Sequence, residues 1–267
     1  LHMTITKAKQ PIGIFDSGIG GISIWKEINN LLPNENTIYL SDNYNAPYGQ
    51  KTKEEIINLS IKNTEYLIDK GCKLIVVACN TATTNAIKYL RKNYTIPFIG
   101  IEPAIKPASI QTKTGVIGIL ATKGTLNSSL FEKTSANIDD NITIIEQIGE
   151  GLVDLIENGK MHSTEMTNLL ENYLNPMLSN KCDSIVLGCT HYPFLIPQIR
   201  AIVGPKVNII DSGEAVAIQT KNILQENNIL CSSNSKTSNI FYSNKQKIVM
   251  QNILKKYKNI IINYSEF

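Results

Sequence analysis

The strongest constraint on the fold is a segment that occurs twice. Cys72-Lys73-Leu74-Ile75-Val76-Val77-Ala78-Cys79 aligns without a gap on Cys182-Asp183-Ser184-Ile185-Val186-Leu187-Gly188-Cys189, at an offset of 110 positions. Each copy is a short, continuous apolar run, the pattern of a strand buried on both faces, and each ends in cysteine. A second echo sets Ile12-Gly13-Ile14-Phe15 against Ile117-Gly118-Ile119-Leu120, at an offset of 105. Two echoes in the same order and at similar offsets favour a duplicated unit: a first strand, a polar turn, further βα units, then a strand that ends in cysteine.

The rest of the chain fits such a unit. Strands are predicted at 11–15, 37–40, 74–78, 98–101, 115–120, 142–145, 184–187, 207–210 and 240–242, with amphipathic stretches between them. Thr52-Lys53-Glu54-Glu55 has the capping-box pattern and should open a helix running to about Lys70. Met166, Leu169, Leu170, Tyr173 and Met177 fall on one helical face. Alternating strands and helices with apolar strands imply an α/β protein with buried parallel sheets, and 267 residues suffice for one large or two medium domains.

Composition removes several classes. A formal charge of +3 on dispersed Lys and Arg does not indicate a nucleic-acid surface, and no nucleic-acid partner is expected. The longest apolar runs are too short to span a bilayer. Five cysteines without a CxxC pair make neither a disulfide framework nor a zinc ribbon, so the thiols are expected to be reduced and the protein cytoplasmic. Leu1-His2-Met3 reads as a cloning remnant ahead of a natural Met, with no signal-peptide pattern.

If the halves are duplicated, Cys79 and Cys189 sit at the carboxyl ends of equivalent strands, where open α/β sheets bind ligands. Facing domains would then place one thiol on each side of a shared cleft. That geometry suits inversion of an amino-acid α-carbon, which needs a base on one face and an acid on the other. Cysteine can be either, with an ordinary pKa of about 8.5. Both residues could equally be small buried hydrophobes, as most free cysteines are. Their company argues otherwise: Asn80, Thr81 and Thr83 follow Cys79, and Thr190, His191 and Tyr192 follow Cys189. Hydroxyls, an amide and an imidazole at a helix start suit a bound carboxylate. His191 is a candidate thiol-activating base or a plain helix-start histidine. Cys72 and Cys182, at the distant strand ends, read as structural.

Asp16-Ser17-Gly18-Ile19-Gly20-Gly21 is a glycine-rich turn after the first strand, but its spacing fits neither a dinucleotide nor a P-loop. Its leading carboxylate suits a substrate ammonium or a cysteine's proton traffic, and a helix N-cap equally well. Asn45-Ala46-Pro47-Tyr48-Gly49 has turn chemistry, and its backbone N–H groups could hold an anion.

Together these segments resemble the glutamate racemase family, within the broader aspartate/glutamate racemase group. The matching text is Phe15-Asp16-Ser17-Gly18-Ile19-Gly20-Gly21, Asp42 with Pro47-Tyr48-Gly49, Ala78-Cys79-Asn80-Thr81-Ala82, Thr122-x-x-Thr125, Leu187-Gly188-Cys189-Thr190-His191-Tyr192-Pro193 and Ile210-Asp211-Ser212-Gly213. The resemblance implies two Rossmann-like (flavodoxin-like) domains, 10–103 plus 213–267 and 104–212, with the active site in the cleft between them. It implies a cofactor-independent, metal-free glutamate racemase that supplies D-glutamate for peptidoglycan, and a homodimer is expected. Cys79 and Cys189 would be the proton donor/acceptors, assisted by Asp16 and His191 respectively, with Cys79 receiving the D-enantiomer's proton. Ser17, Tyr48, Gly49, Asn80, Thr81, Thr122, Thr125 and Thr190 would contact substrate, as would Asp16 and His191. Glu157 falls near the family's auxiliary acidic residue, and an exposed helix glutamate is the alternative. Thr83 and Thr84 stand where many relatives carry serine. The short N-terminus lacks the extension of relatives activated by a cell-wall precursor, so such activation is not expected.

Two other classes stay open at this point. One is a racemase for aspartate or another amino acid, or a related cysteine-dependent isomerase or decarboxylase. The other is a binding protein, with a metal site from Cys79, Cys189, His191 and Asp16 or a regulatory role on a nucleic-acid enzyme.

Overall fold

A computed structural model describes residues 7–232, 237–245 and 248–267; Leu1-His2-Met3 lies outside them. The strands are β1 (Ile12–Asp16), β2 (Thr37–Ser41), β3 (Leu74–Val77), β4 (Phe98–Gly100), β5 (Val116–Ala121), β6 (Thr143–Ile148), β7 (Ser184–Gly188), β8 (Asn208–Ile210), β9 (Asn239–Ser243) and β10 (Ile260–Tyr264). They form two all-parallel sheets, ordered β10-β9-β2-β1-β3-β4 and β6-β5-β7-β8. The nine expected strands are all present. The tenth, β10, pairs on one side only and is half-buried, and its apolar run Ile260-Ile261-Ile262 is short and followed by Asn263.

The duplication extends to topology and register. β2-β1-β3-β4 and β6-β5-β7-β8 have the same internal order, first strand beside second and third. Ile12 pairs with Leu74 as Ile117 pairs with Ser184, and Gly13 with Ile75 as Gly118 with Ile185. The two cysteines that open the echoed segments also play one role. A methyl on Gly13 would lie 3.0 Å from the Cys72 sulfur, and one on Gly118 would lie 3.2 Å from the Cys182 sulfur. Both thiols therefore fill the space beside a bare backbone, which is the structural part expected of them.

β1 and β3 are buried on both faces. Ile12, Ile14, Leu74 and Val76 join the cluster containing Ile22, Trp25 and Ile28 of the Ile22–Leu31 helix. Phe15, Ile75 and Val77 join Leu67, Ala82, Ala86 and Leu90 of the two helices on the opposite face. The Lys53–Asp69 helix opens with the expected capping box between Thr52 and Glu55. In the Thr164–Ser179 helix Met166, Leu170, Leu174 and Met177 are buried. Leu169 and Tyr173 flank that stripe, half-buried. The Gly213–Glu226 helix packs on Ile22–Leu31, which returns the C-terminal part of the chain to the first sheet.

A fully buried ion pair closes the amino end of that sheet. Lys73 Nζ donates to Glu35 Oε2 at 2.5 Å, to the Ala8 carbonyl at 2.6 Å and to the Ile229 carbonyl at 2.9 Å. Glu35 Oε1 accepts the Cys231 N–H at 2.8 Å. No helix among the described residues is long and apolar enough to cross a membrane.

Candidate active site

Cys79 and Cys189 follow β3 and β7, each beside the first strand of its half-sheet, and line one narrow cavity. Such strand ends, at the point where strand order reverses, are where α/β sheets take ligands. Of the expected residues, Ser17, Tyr48, Gly49, Asn80, Thr81, Thr122, Thr190 and His191 share the wall. Asp16, Thr125 and Glu157 stand behind it. Pro47 and Val153 complete the wall. Val153 had no sequence signal, because an apolar residue on a helix face looks the same whether it faces a core or a substrate.

The two thiols have different neighbours. Cys79 is the N-cap of the Asn80–Asn93 helix: its sulfur accepts the Ala82 N–H at 3.4 Å and lies 3.7 Å from Ser17 Oγ. Asp16 is completely buried; its Oδ2 accepts the N–H groups of Gly21 at 2.8 Å and Gly18 at 3.3 Å, and Thr190 Oγ1 reaches Oδ1 at 3.4 Å. The carboxylate thus both holds the turn and faces the Cys79 side, so the two sequence readings are combined in one residue. Burial raises the pKa of Asp16, against the lowering effect of the His191 charge and the Gly21 amide. Burial, and then the Asp16 charge, push the Cys79 thiol well above its ordinary value.

Cys189 instead faces an imidazole. His191 Nδ1 lies 3.7 Å from its sulfur, and Nε2 lies 2.6 Å from Glu157 Oε1. Glu157 is therefore no surface glutamate. Its Oε1 also accepts the Ile19 N–H at 2.7 Å, and its Oε2 accepts Asn43 Nδ2 at 2.5 Å. The Gly20 N–H approaches Nε2 at 3.2 Å, but only an unprotonated nitrogen could accept it, and the shorter contact to the carboxylate decides. Burial pulls the His191 pKa down, yet the hydrogen bonds to Cys189 and Glu157, with their charges, carry it well above 6.5.

This arrangement explains the glycine-rich turn. A Cβ on Gly18 would lie 1.9 Å from Glu157 Oε1, and one on Gly20 would lie 2.2 Å from His191 Nδ1. The turn is bare because two side chains from the other half of the chain press against it, not because a phosphate approaches.

The remaining wall is a set of hydrogen-bond groups. Tyr48 opens a 3₁₀ turn (Tyr48–Gln50), whose first amides have no partner within the turn. Its hydroxyl is committed to Asp42 Oδ2 at 2.5 Å and accepts from Asn63 at 3.1 Å, so Tyr48 offers the cavity its backbone and ring rather than its hydroxyl. Thr81 Oγ1 meets Thr122 Oγ1 at 2.7 Å and Thr125 Oγ1 at 3.3 Å across the two halves. Asn80 is 2% exposed, and neither its Oδ1 nor its Nδ2 has a partner among the described residues. A buried amide left so costs about 1–3 kcal/mol, which a ligand can recover. No group of three or more His, Cys, Asp or Glu side chains among the described residues is arranged to hold a metal, so the metal-site alternative lacks a ligand set there.

Residues 12–220 match the family model for Asp/Glu/Hydantoin racemase. A glutamate racemase of Herpetosiphon aurantiacus is 47% identical over 221 residues, covering 83% of this chain and 87% of its own. The crystal structure of a Bacillus anthracis glutamate racemase superposes with a TM-score of 0.86 at 32% identity, covering 97% of this chain and 98% of that one. One from Francisella tularensis, solved in complex with D-glutamate, gives 0.84 at 27% identity over 97% and 98%.

Proposed function

The chain belongs to the Asp/Glu/Hydantoin racemase family and is an amino-acid racemase; we propose that it interconverts L- and D-glutamate without a cofactor, using Cys79 and Cys189 as opposed acid and base. The observation that carries this reading is that both thiols end equivalent strands and line one cavity, with a different ionisable partner behind each.

In one direction, Cys189 as a thiolate beside protonated His191 takes the α-proton, while Cys79, a thiol in the free site, delivers its proton to the opposite face. Cys79 is left as a thiolate and Cys189 as a thiol. In the other direction the roles exchange, with Asp16 handling the proton at Cys79. The α-carbon passes through a carbanion whose charge spreads onto the α-carboxylate, so donors that strengthen as that charge grows lower the barrier. Asn80, Thr81 and Thr190, which follow the two cysteines in sequence and line the same cavity, would supply those donors. The amides of Tyr48 and Gly49 would hold the side-chain carboxylate, and Thr122 and Thr125 position Thr81. The two domains would divide as 10–103 with 213–267, and 104–212. The same reading has a cytoplasmic homodimer supplying D-glutamate to peptidoglycan synthesis.

The test is circular dichroism of purified protein with L-glutamate, D-glutamate and both aspartates, no cofactor added. Loss of signal with both glutamates and neither aspartate is expected. Loss with aspartate alone would transfer the reading to aspartate, and no change with any of the four would overturn it.

A further inference from the structure

Glu157 orients His191, and the hydrogen bonds show what orients Glu157. Asn43, two residues past β2, is buried and lies between two side chains. Its Nδ2 donates to Glu157 Oε2, and its Oδ1 accepts from Ser243 Oγ at 2.9 Å, at the end of β9. The Ser243 hydroxyl also reaches the Lys245 carbonyl at 3.3 Å, but the contact to Asn43 is the shorter and takes its proton, while the serine oxygen accepts the Lys245 N–H at 3.3 Å. That fixes the amide: with Oδ1 taken by the serine, the N–H₂ must face the carboxylate, and a flipped amide would set a carbonyl oxygen against it. A continuous chain therefore runs Ser243–Asn43–Glu157–His191–Cys189, ending at one thiol only. Cys79 is approached by Asp16, Ser17 and the Ala82 amide, none of which bonds to Asn43.

We propose that Asn43 is a positioning residue for the Cys189 half of the racemisation, held in its donor orientation by Ser243. It rests on the two-cysteine reading above. Held by Ser243, Asn43 gives Glu157 an N–H donor on the oxygen that His191 does not use, so the carboxylate is kept from rotating away from the imidazole. With that donor lost, the ring is held less firmly beside Cys189, and the barrier rises for proton transfer at Cys189 but not at Cys79.

One-sidedness makes this testable. Asn43→Asp keeps the shape but turns an acceptor toward Glu157, and should lower kcat for racemisation roughly 10–100-fold, the range for a hydrogen bond to a charged group. Ser243→Ala should lower it less, by roughly 2–10-fold, with the same pattern, and it decides the matter if the aspartate variant does not fold. The pattern is read from α-deuterated L- and D-glutamate. If transfer at Cys189 limits the variants, the substrate isotope effect is large from the enantiomer whose proton Cys189 takes, and near unity from the other. Wild-type rates in folded variants, or lowered rates with similar isotope effects from both enantiomers, would overturn the proposal. Absence of glutamate racemisation by the wild-type chain would instead overturn the functional reading itself.

Discussion

Gly20→Ala tests the site through its tightest contact. The added methyl would lie 2.2 Å from His191 Nδ1, more than 1 Å short of ordinary contact at 3.4 Å, and 2.6 Å from Cε1 and Cγ. The imidazole has little room to yield, since it is 1% exposed, bonded to Glu157 on one edge and adjacent to Cys189 on the other. A displacement of about 1 Å is enough to cost on the order of 10²-fold in rate when it falls on a catalytic group. Overpacking should also destabilise the fold by about 1–3 kcal/mol. Racemisation of saturating L- and D-glutamate, followed by circular dichroism, should therefore fall about 10²-fold in protein that still unfolds cooperatively in urea. Gly71→Ala is the control. Its φ of +76° strains any side chain, but nothing lies within 4 Å of the added Cβ. It should lose about 1 kcal/mol of stability and keep its kcat. A folded Gly20→Ala protein with kcat within threefold of wild type would refute the argument. An equal loss in both variants would show that the effect is not local to His191.

Cys79→Ala and Cys189→Ala should each lower racemisation by at least about 10²-fold in both directions, because one acid/base group cannot serve both faces; full activity in either variant would refute the two-base reading. The hydrogen bonds to Cys189 and Glu157 raise the His191 pKa above 6.5 in the folded protein, so folding favours its protonated form. The stability from that proton is complete below pH 6.5 and is lost as pH rises through the folded value, so the urea midpoint should fall on going from pH 6 to 8. His191→Asn should flatten that slope, and an identical slope in the variant would assign the linkage elsewhere. Lys73→Met leaves Glu35 buried without its cation, and should cost about 3–5 kcal/mol in urea unfolding with kcat unchanged. Replacing Glu35 by Met as well should recover much of that loss, and a single variant as stable as wild type would show the pair to be dispensable.

The fold was legible where strands are central and the site where residues are adjacent in sequence. β3 and β7 are continuous apolar runs because both faces are covered, and the cysteine that follows each is fixed by the strand it ends. The edge strand β10 is half-solvated, and its apolar run is short. The Asp16–Gly21 turn showed that something approaches the backbone closely, but not what. The residues that approach are Glu157 and His191, more than 130 positions away, and only the folded arrangement of the two halves brings them there. Asn43 was invisible for the same reason: a polar residue two positions past a strand has ordinary turn chemistry until Ser243 and Glu157 are set on either side of it.

Duplication by itself would not make a racemase. Two equivalent thiols in equivalent surroundings would share one protonation state, whereas inversion needs one with its proton and one without. At the positions related by the two echoes, Asp16 corresponds to Ala121 and His191 to Thr81. The first half thus contributes a buried carboxylate beside Cys79, where the second has only a methyl, and the second contributes an imidazole beside Cys189, where the first has a hydroxyl. The anion near Cys79 favours its thiol. On this reading the repeated strands place the two acid/base groups, and the two residues that break the repeat give them different ionisable partners. Exchanging those partners should therefore damage catalysis more than any change to the strands that keeps the thiols in place.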